Sequence, residues 1–123
     1  LLEADRDKIK QVLLNLMSNA IKYNRPNGSV IITGNFTDAE VSLNIQDTGL
    51  GIPEDAVPHL FEKFFRVREH EGKAAGTGLG LSICKQIVQG HNGRIEVKSK
   101  MGVGTSFNIF LPRAPRVIPP IDG

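Results

Sequence analysis

The sequence predicts an α+β domain, a two-layer α/β sandwich with helices on one face of a mixed, mainly antiparallel sheet. Three observations carry this: an amphipathic helical segment near the start, two pairs of alternating strands each joined by a turn, and a second helical segment between those pairs. With 123 residues and 40% hydrophobic content, the chain can build one core without metals or disulfides.

From Asp5 to Tyr23, apolar residues recur at Ile9, Val12, Leu13, Leu16, Met17 and Ala20, which is one face of a helix, and Asp5 can cap its start. Pro26 and Gly28 break that pattern. Residues 29–36 and 40–46 alternate as strands, with the polar Thr37, Asp38 and Ala39 as a hairpin turn between them. Residues 47–51 form a turn, and Pro53 opens a short helix running to His59. Residues 66–76 carry charges, glycine and alanine without an apolar period and read as a mobile surface loop. Helical spacing resumes over residues 78–89. Two more strands, 94–99 and 105–111, are joined by a glycine-bearing turn, and Pro112 ends the second. The domain therefore covers residues 1–112, and residues 113–123, with Pro115, Pro119 and Pro120, form a linker or tail.

Composition removes several function classes. A formal net charge of +2 offers no field of either sign to draw nucleic acid or an anionic membrane. No apolar run reaches the roughly 20 residues that span a bilayer, so a membrane-bound parent would carry its anchor elsewhere, with this segment on the cytoplasmic side. Cys84, the only cysteine, sits among Leu81, Ile83, Ile87 and Val88 and reads as a packed core thiol; the lack of a partner fits a reducing compartment. His59, His70 and His91 are too scattered for a zinc site.

Three stretches can carry chemistry. At about 100° per residue, Asn15, Asn19, Lys22 and Tyr23 share a stripe beside the core stripe of the first helix, which suits either a cleft wall or plain solvated positions. Asp47-Thr48-Gly49-Leu50-Gly51-Ile52-Pro53 puts a carboxylate at a strand end before two glycines, either a ligand contact for an exocyclic amine or an Asp-led turn. Gly76-Thr77-Gly78-Leu79-Gly80-Leu81 runs into a helix whose free N–H groups can meet phosphate oxygens. Its spacing is neither the dinucleotide fingerprint nor a Walker loop.

In this order, the segments resemble the ATP-binding catalytic domain of sensor histidine kinases, in the superfamily that also holds gyrase, the heat-shock chaperone ATPases and the mismatch-repair ATPases, known as the Bergerat fold. Residues 15–23 resemble the N box, 47–52 the G1 box, 61–66 the F box, 76–81 the G2 box, and 102–105 the last glycine turn. Each is weak alone, but five in register over nearly the whole chain to Pro112 are specific.

The resemblance implies an ATP and Mg²⁺ site. Asn19 is the implied magnesium ligand, and an amide oxygen suits an ion that keeps waters and bridges phosphates. Asn15 and Lys22 would lie near the phosphates and Tyr23 over the adenine. Asp47 would accept the adenine amino group, with Gly49, Gly51, Ile52 and Thr105 beside it. Gly76, Thr77, Gly78, Leu79, Gly80 and Leu81 would hold phosphate, and the residues between Pro53 and Gly78 would form an ATP lid anchored by Phe61 and Phe64. Arg66, with Lys22, is the implied catalytic cation, since a guanidinium facing the γ-phosphate stabilises charge developing in transfer.

Where the hydrolysing relatives have a glutamate as general base, this chain has Asn15, whose amide cannot take that proton at neutral pH. The implied activity is transfer of the γ-phosphoryl group to a histidine on a separate dimerisation domain of the same protein, and through it to a response regulator. None of His59, His70 and His91 heads a long helix, so none fits the acceptor, and the fragment is expected to be monomeric. A nucleotide-binding regulatory module and a gyrase-like ATPase are the competing classes; Asn15 speaks against the second.

Overall fold

The computed structural model describes residues 5–65, 67 and 80–113. Helix α1 (Arg6–Lys22) starts where expected: the Asp5 carboxylate accepts the N–H groups of Asp7 and Lys8 at 3.1 and 3.2 Å, satisfying two otherwise unpaired donors of the first turn. The helix is followed by strands β1 (Val30–Phe36) and β2 (Glu40–Asp47), a single 3-10 turn (Val57–His59), helix α2 (Gly80–Gly90), and strands β3 (Arg94–Lys100) and β4 (Gly104–Pro112). Pro53 does not open an α-helix. Pro58 lacks an N–H and its ring would meet the carbonyl of residue 54, so residues 54–59 form only turns.

The sheet order is β1-β2-β4-β3, and every pair among the described strands is antiparallel. The register sets Asp47 opposite Val30 on one side and Thr105 on the other, which brings the end of β2 to the start of β4. Strand alternation then decides the two faces. Ile45, Phe107, Ile109 and Leu111 point to the helices and meet Val12, Leu16 and Ala20 of α1 and Cys84, Ile87 and Val88 of α2 in one buried core. The opposite face is polar, with the Asn44 amide donating to Ser106 Oγ at 2.7 Å and to Asn108 Oδ1 at 2.6 Å across the β2 and β4 pair.

A second cluster of Ile52, Leu60 and Val67, flanked by Phe65, Leu81 and Val97, lies beside the first. Val67 was expected in a surface loop but is buried here, because its neighbours offer an apolar socket that the local sequence does not announce. The remaining loop positions, Arg66 and 68–79, lie outside the described residues, as does the tail from 114.

The end of α2 is fixed to the start of α1. His91 Nδ1 donates to the Ile87 carbonyl at 2.8 Å and its Nε2 accepts the Asp5 N–H at 2.9 Å, a pattern that defines the neutral tautomer. Asn92, at φ 60°, then turns the chain into β3 as a left-handed helix stop. No helix among the described residues is long and apolar enough to cross a membrane.

Candidate functional site

The site grows from three chain segments that meet at one end of the sheet. Asp47 closes β2, and its Oδ1 accepts the Gly49 N–H at 2.8 Å and the Thr105 N–H at 3.2 Å. One carboxylate oxygen is thereby engaged by two backbone donors, which fix the plane of the group.

Thr48 ties the same turn to the exit of α1. Its hydroxyl oxygen accepts the Ser29 N–H at 2.7 Å, its N–H donates to the Ser29 carbonyl at 3.1 Å, and the Leu50 N–H donates to the Tyr23 carbonyl at 3.0 Å. The third segment, the turn between β3 and β4, joins through Gly102 N–H to the Leu50 carbonyl at 2.9 Å. Ser99 sits at the junction: its hydroxyl oxygen accepts the Ile52 N–H at 2.8 Å and lies 2.8 Å from the Thr105 hydroxyl.

Two glycines let this geometry close: a Cβ at Gly49 would run into the Tyr23 carbonyl, and one at Gly51, at φ 75°, into the Lys100 carbonyl. The close approach is therefore between the chain's own segments, and glycine is required for the knot to close. Gly80 differs: among the described residues nothing lies within 4 Å of its would-be Cβ.

On α1, Asn15 and Asn19 are half-buried beside the core positions Leu16 and Ala20, Tyr23 is half-buried at the helix end, and Lys22 is exposed. The Cys84 thiol of α2 meets α1 one turn before Asn15, donating weakly to the Val12 carbonyl at 3.9 Å. Burial pushes that thiol up to about 11, and the Asn15 hydrogen bond opposes the shift without cancelling it. Among the described residues no cluster of histidine, cysteine, aspartate and glutamate could hold a metal ion. The amide oxygen of Asn19 fits an ion that arrives on phosphates, not one caged by the protein.

Of the F box aromatics, Phe61 packs edge-on against Phe107, with ring centroids 6.4 Å apart, and joins both apolar clusters. Phe64 is not the second anchor. It is 68% exposed at φ 63°, and Phe65 takes its place, packing on the second cluster and against His59 at 5.7 Å. Leu81 touches both clusters and so connects the start of α2 to this region. Arg66, Gly76, Thr77, Gly78 and Leu79 lie outside the described residues.

Sequence reasoning missed Asn24, Arg25, Thr48 and Ser99. Ser99 was within reach, since it continues the inward positions Ile95 and Val97 of β3 at period two. Arg25 carries no sequence signal, because its partners are backbone carbonyls that any residue supplies.

A helix pair packed on one face of this antiparallel sheet, with a carboxylate fixed at a strand end where three segments meet, defines a two-layer α/β sandwich. The chain belongs to the family described as histidine kinase-, DNA gyrase B-, and HSP90-like ATPase, whose model matches residues 4–115, which makes it an ATP-binding domain. It is 43% identical over 112 residues to the adaptive-response sensory kinase SasA of Synechococcus elongatus, and 44% identical over 111 residues to the sensor protein SrrB of Staphylococcus aureus. These alignments cover 90% and 89% of this chain but 29% and 19% of those proteins, so it spans less than a third of either. Among solved structures, the mycobacterial sensor histidine kinase MprB superposes with a TM-score of 0.84 at 33% identity, over 93% of this chain and 78% of that one. A nucleotide-free catalytic domain of the histidine kinase ThkA gives 0.79 at 37% identity, over 93% and 73%.

Proposed function

We propose that the chain is the catalytic domain of a two-component sensor histidine kinase, which binds ATP with Mg²⁺ and presents the γ-phosphate to a histidine on a separate dimerisation domain of the same protein. From there the phosphoryl group passes to a response regulator. The observation that carries this reading is Asp47, a carboxylate fixed by two backbone donors at the end of β2, where three chain segments meet. Its relatives SasA and MprB are named as a sensory kinase and a sensor histidine kinase, and SrrB as a sensor protein.

In this reading Asp47 accepts the adenine amino group, which favours adenine over guanine because guanine offers an acceptor there. Gly49, Gly51, Ile52 and Thr105 shape that pocket, and Tyr23 covers the base. Asn15, Asn19, Lys22 and the residues 76–81 hold the phosphates, and Arg66 with Lys22 stabilises charge developing in transfer. Mg²⁺ would neutralise and bridge the phosphate oxygens, with the Asn19 amide as its protein ligand. Asn15 offers no general base to activate water, so turnover by the chain alone is slow and transfer waits for an incoming nucleophile. The parent protein is proposed to hold this domain in the cytoplasm, whether or not it is anchored in a membrane.

The test is incubation with the parent's acceptor domain and ATP labelled on the γ-phosphate. An acid-labile, base-stable label on the acceptor is expected. Saturable binding without transfer would instead favour a regulatory module, in which ATP sets only conformation.

A further inference from the structure

The Arg25 guanidinium spans two turns that are far apart in sequence. Its Nε donates to the Thr48 carbonyl, and its Nη2 donates to the Gly102 carbonyl at 2.9 Å and, more weakly, to the Val103 carbonyl at 3.4 Å. Arg25 itself leaves the end of α1, held by its own N–H to Asn24 Oδ1 at 2.9 Å, while Asn24 donates to the Ser29 carbonyl at 3.0 Å. One side chain therefore connects the helix exit, the turn after Asp47 and the turn before Thr105.

Those two turns contribute the donors that fix Asp47, because Gly49 follows Thr48 and Thr105 follows Val103 and Gly104. The same segments are also joined by the Gly102 N–H to the Leu50 carbonyl and by the Ile52 N–H to the Ser99 hydroxyl. A planar guanidinium with donors on two edges can bridge carbonyls at a set separation, which an ammonium cannot. Arg25 is exposed and contributes nothing to either apolar cluster, so its bonds serve the spacing of the turns and not the core.

We infer that Arg25 is a positioning residue for nucleobase selectivity: it sets the separation of the two turns that aim the Asp47 carboxylate, and so sharpens the preference for an adenine over a guanine nucleotide. This rests on the reading of Asp47 as the adenine contact. Loss of the latch lets Asp47 and Thr105 shift relative to each other, weakening a directional hydrogen bond more than the contacts that any purine makes.

The experiment measures dissociation constants of ADP and GDP by calorimetry for the parent chain, Arg25→Ala and Arg25→Lys, with thermal melts alongside. Arg25→Ala should weaken ADP by about tenfold and GDP by less than about threefold, since roughly one directional hydrogen bond is at stake. Arg25→Lys, which keeps the charge but not the fork, should fall between the parent and Arg25→Ala. Equal weakening of both nucleotides, or no change in either, would overturn the inference, as would failure of both variants to fold, which would make Arg25 a residue of the fold. Absence of ADP binding by the parent would sink the reading of Asp47 instead, and with it the basis for this latch.

Discussion

The carboxylate of Asp47 and the backbone of Thr105, 58 residues apart in sequence, meet through a 3.2 Å hydrogen bond that joins the end of β2 to the start of β4. Oδ1 is held by this bond and by Gly49 N–H, so the aim of the carboxylate is set by strand register rather than by a side-chain rotamer alone.

Replacing Asp47 separates its two duties. Asp47→Asn retains an oxygen that can accept both backbone N–H groups, but it loses the charge that strengthens a bond to an incoming amine. ATP affinity should fall by about ten- to a hundredfold, matching the roughly 1.5 to 3 kcal/mol of a charge-assisted hydrogen bond, while the melting temperature changes little. Asp47→Ala should lose comparable affinity and also stability, since two donors are left without their acceptor. Titration calorimetry with parallel thermal melts checks both. ATP binding by Asp47→Asn at parental strength would show that the base is held by other groups.

Much of this was legible in the sequence because local pattern and tertiary burial agree. Helix α1 announces itself through the spacing of Val12, Leu16 and Ala20 and through its Asp5 cap, and β4 through the strict alternation of buried residues. What escaped depended on partners distant in the chain. Arg25 bonds to carbonyls of Thr48, Gly102 and Val103, and Val67 is buried only because Ile52 and Leu60 come to meet it. The glycines of the turn after β2 were seen, but the approach of Tyr23 and Lys100 to them was not, since only the fold reveals it.

The F box offers a contrast between neighbours. Phe61 packs against Phe107 and also lies 5.3 Å beneath the Lys85 ammonium, so Phe61→Ala should destabilise the chain by about 2–4 kcal/mol, near the lower end of the range for buried phenylalanine because the ring is only half-buried. Phe64 is exposed in the left-handed region, where a side chain is strained and glycine is not. Phe64→Gly should be neutral or stabilising by up to about 1 kcal/mol. Denaturant unfolding of the two variants decides the matter, and an equal loss in both would mean that Phe64 is as much an anchor as Phe61.

The buried thiol makes a prediction in pH. Burial raises Cys84 from an ordinary 9.0 to about 11, against the pull of the Asn15 hydrogen bond. Between those values the unfolded chain has released this proton and the native chain retains it, so the unfolded state binds fewer protons and stability falls as pH rises. The contribution is fully present below pH 9 and is lost on the way to 11. The informative quantity is the difference between the parent and Cys84→Ala. The variant should be less stable at neutral pH, because a fully buried atom is removed, yet it should lose stability less steeply above pH 9. In the parent, a thiol reagent at pH 8 should react only as fast as the chain opens, since a protonated sulfur at 0% exposure offers neither thiolate nor access. Parallel stability curves for parent and variant, or labelling of the native chain at the rate of the denatured one, would place Cys84 outside the core that joins α1 to α2.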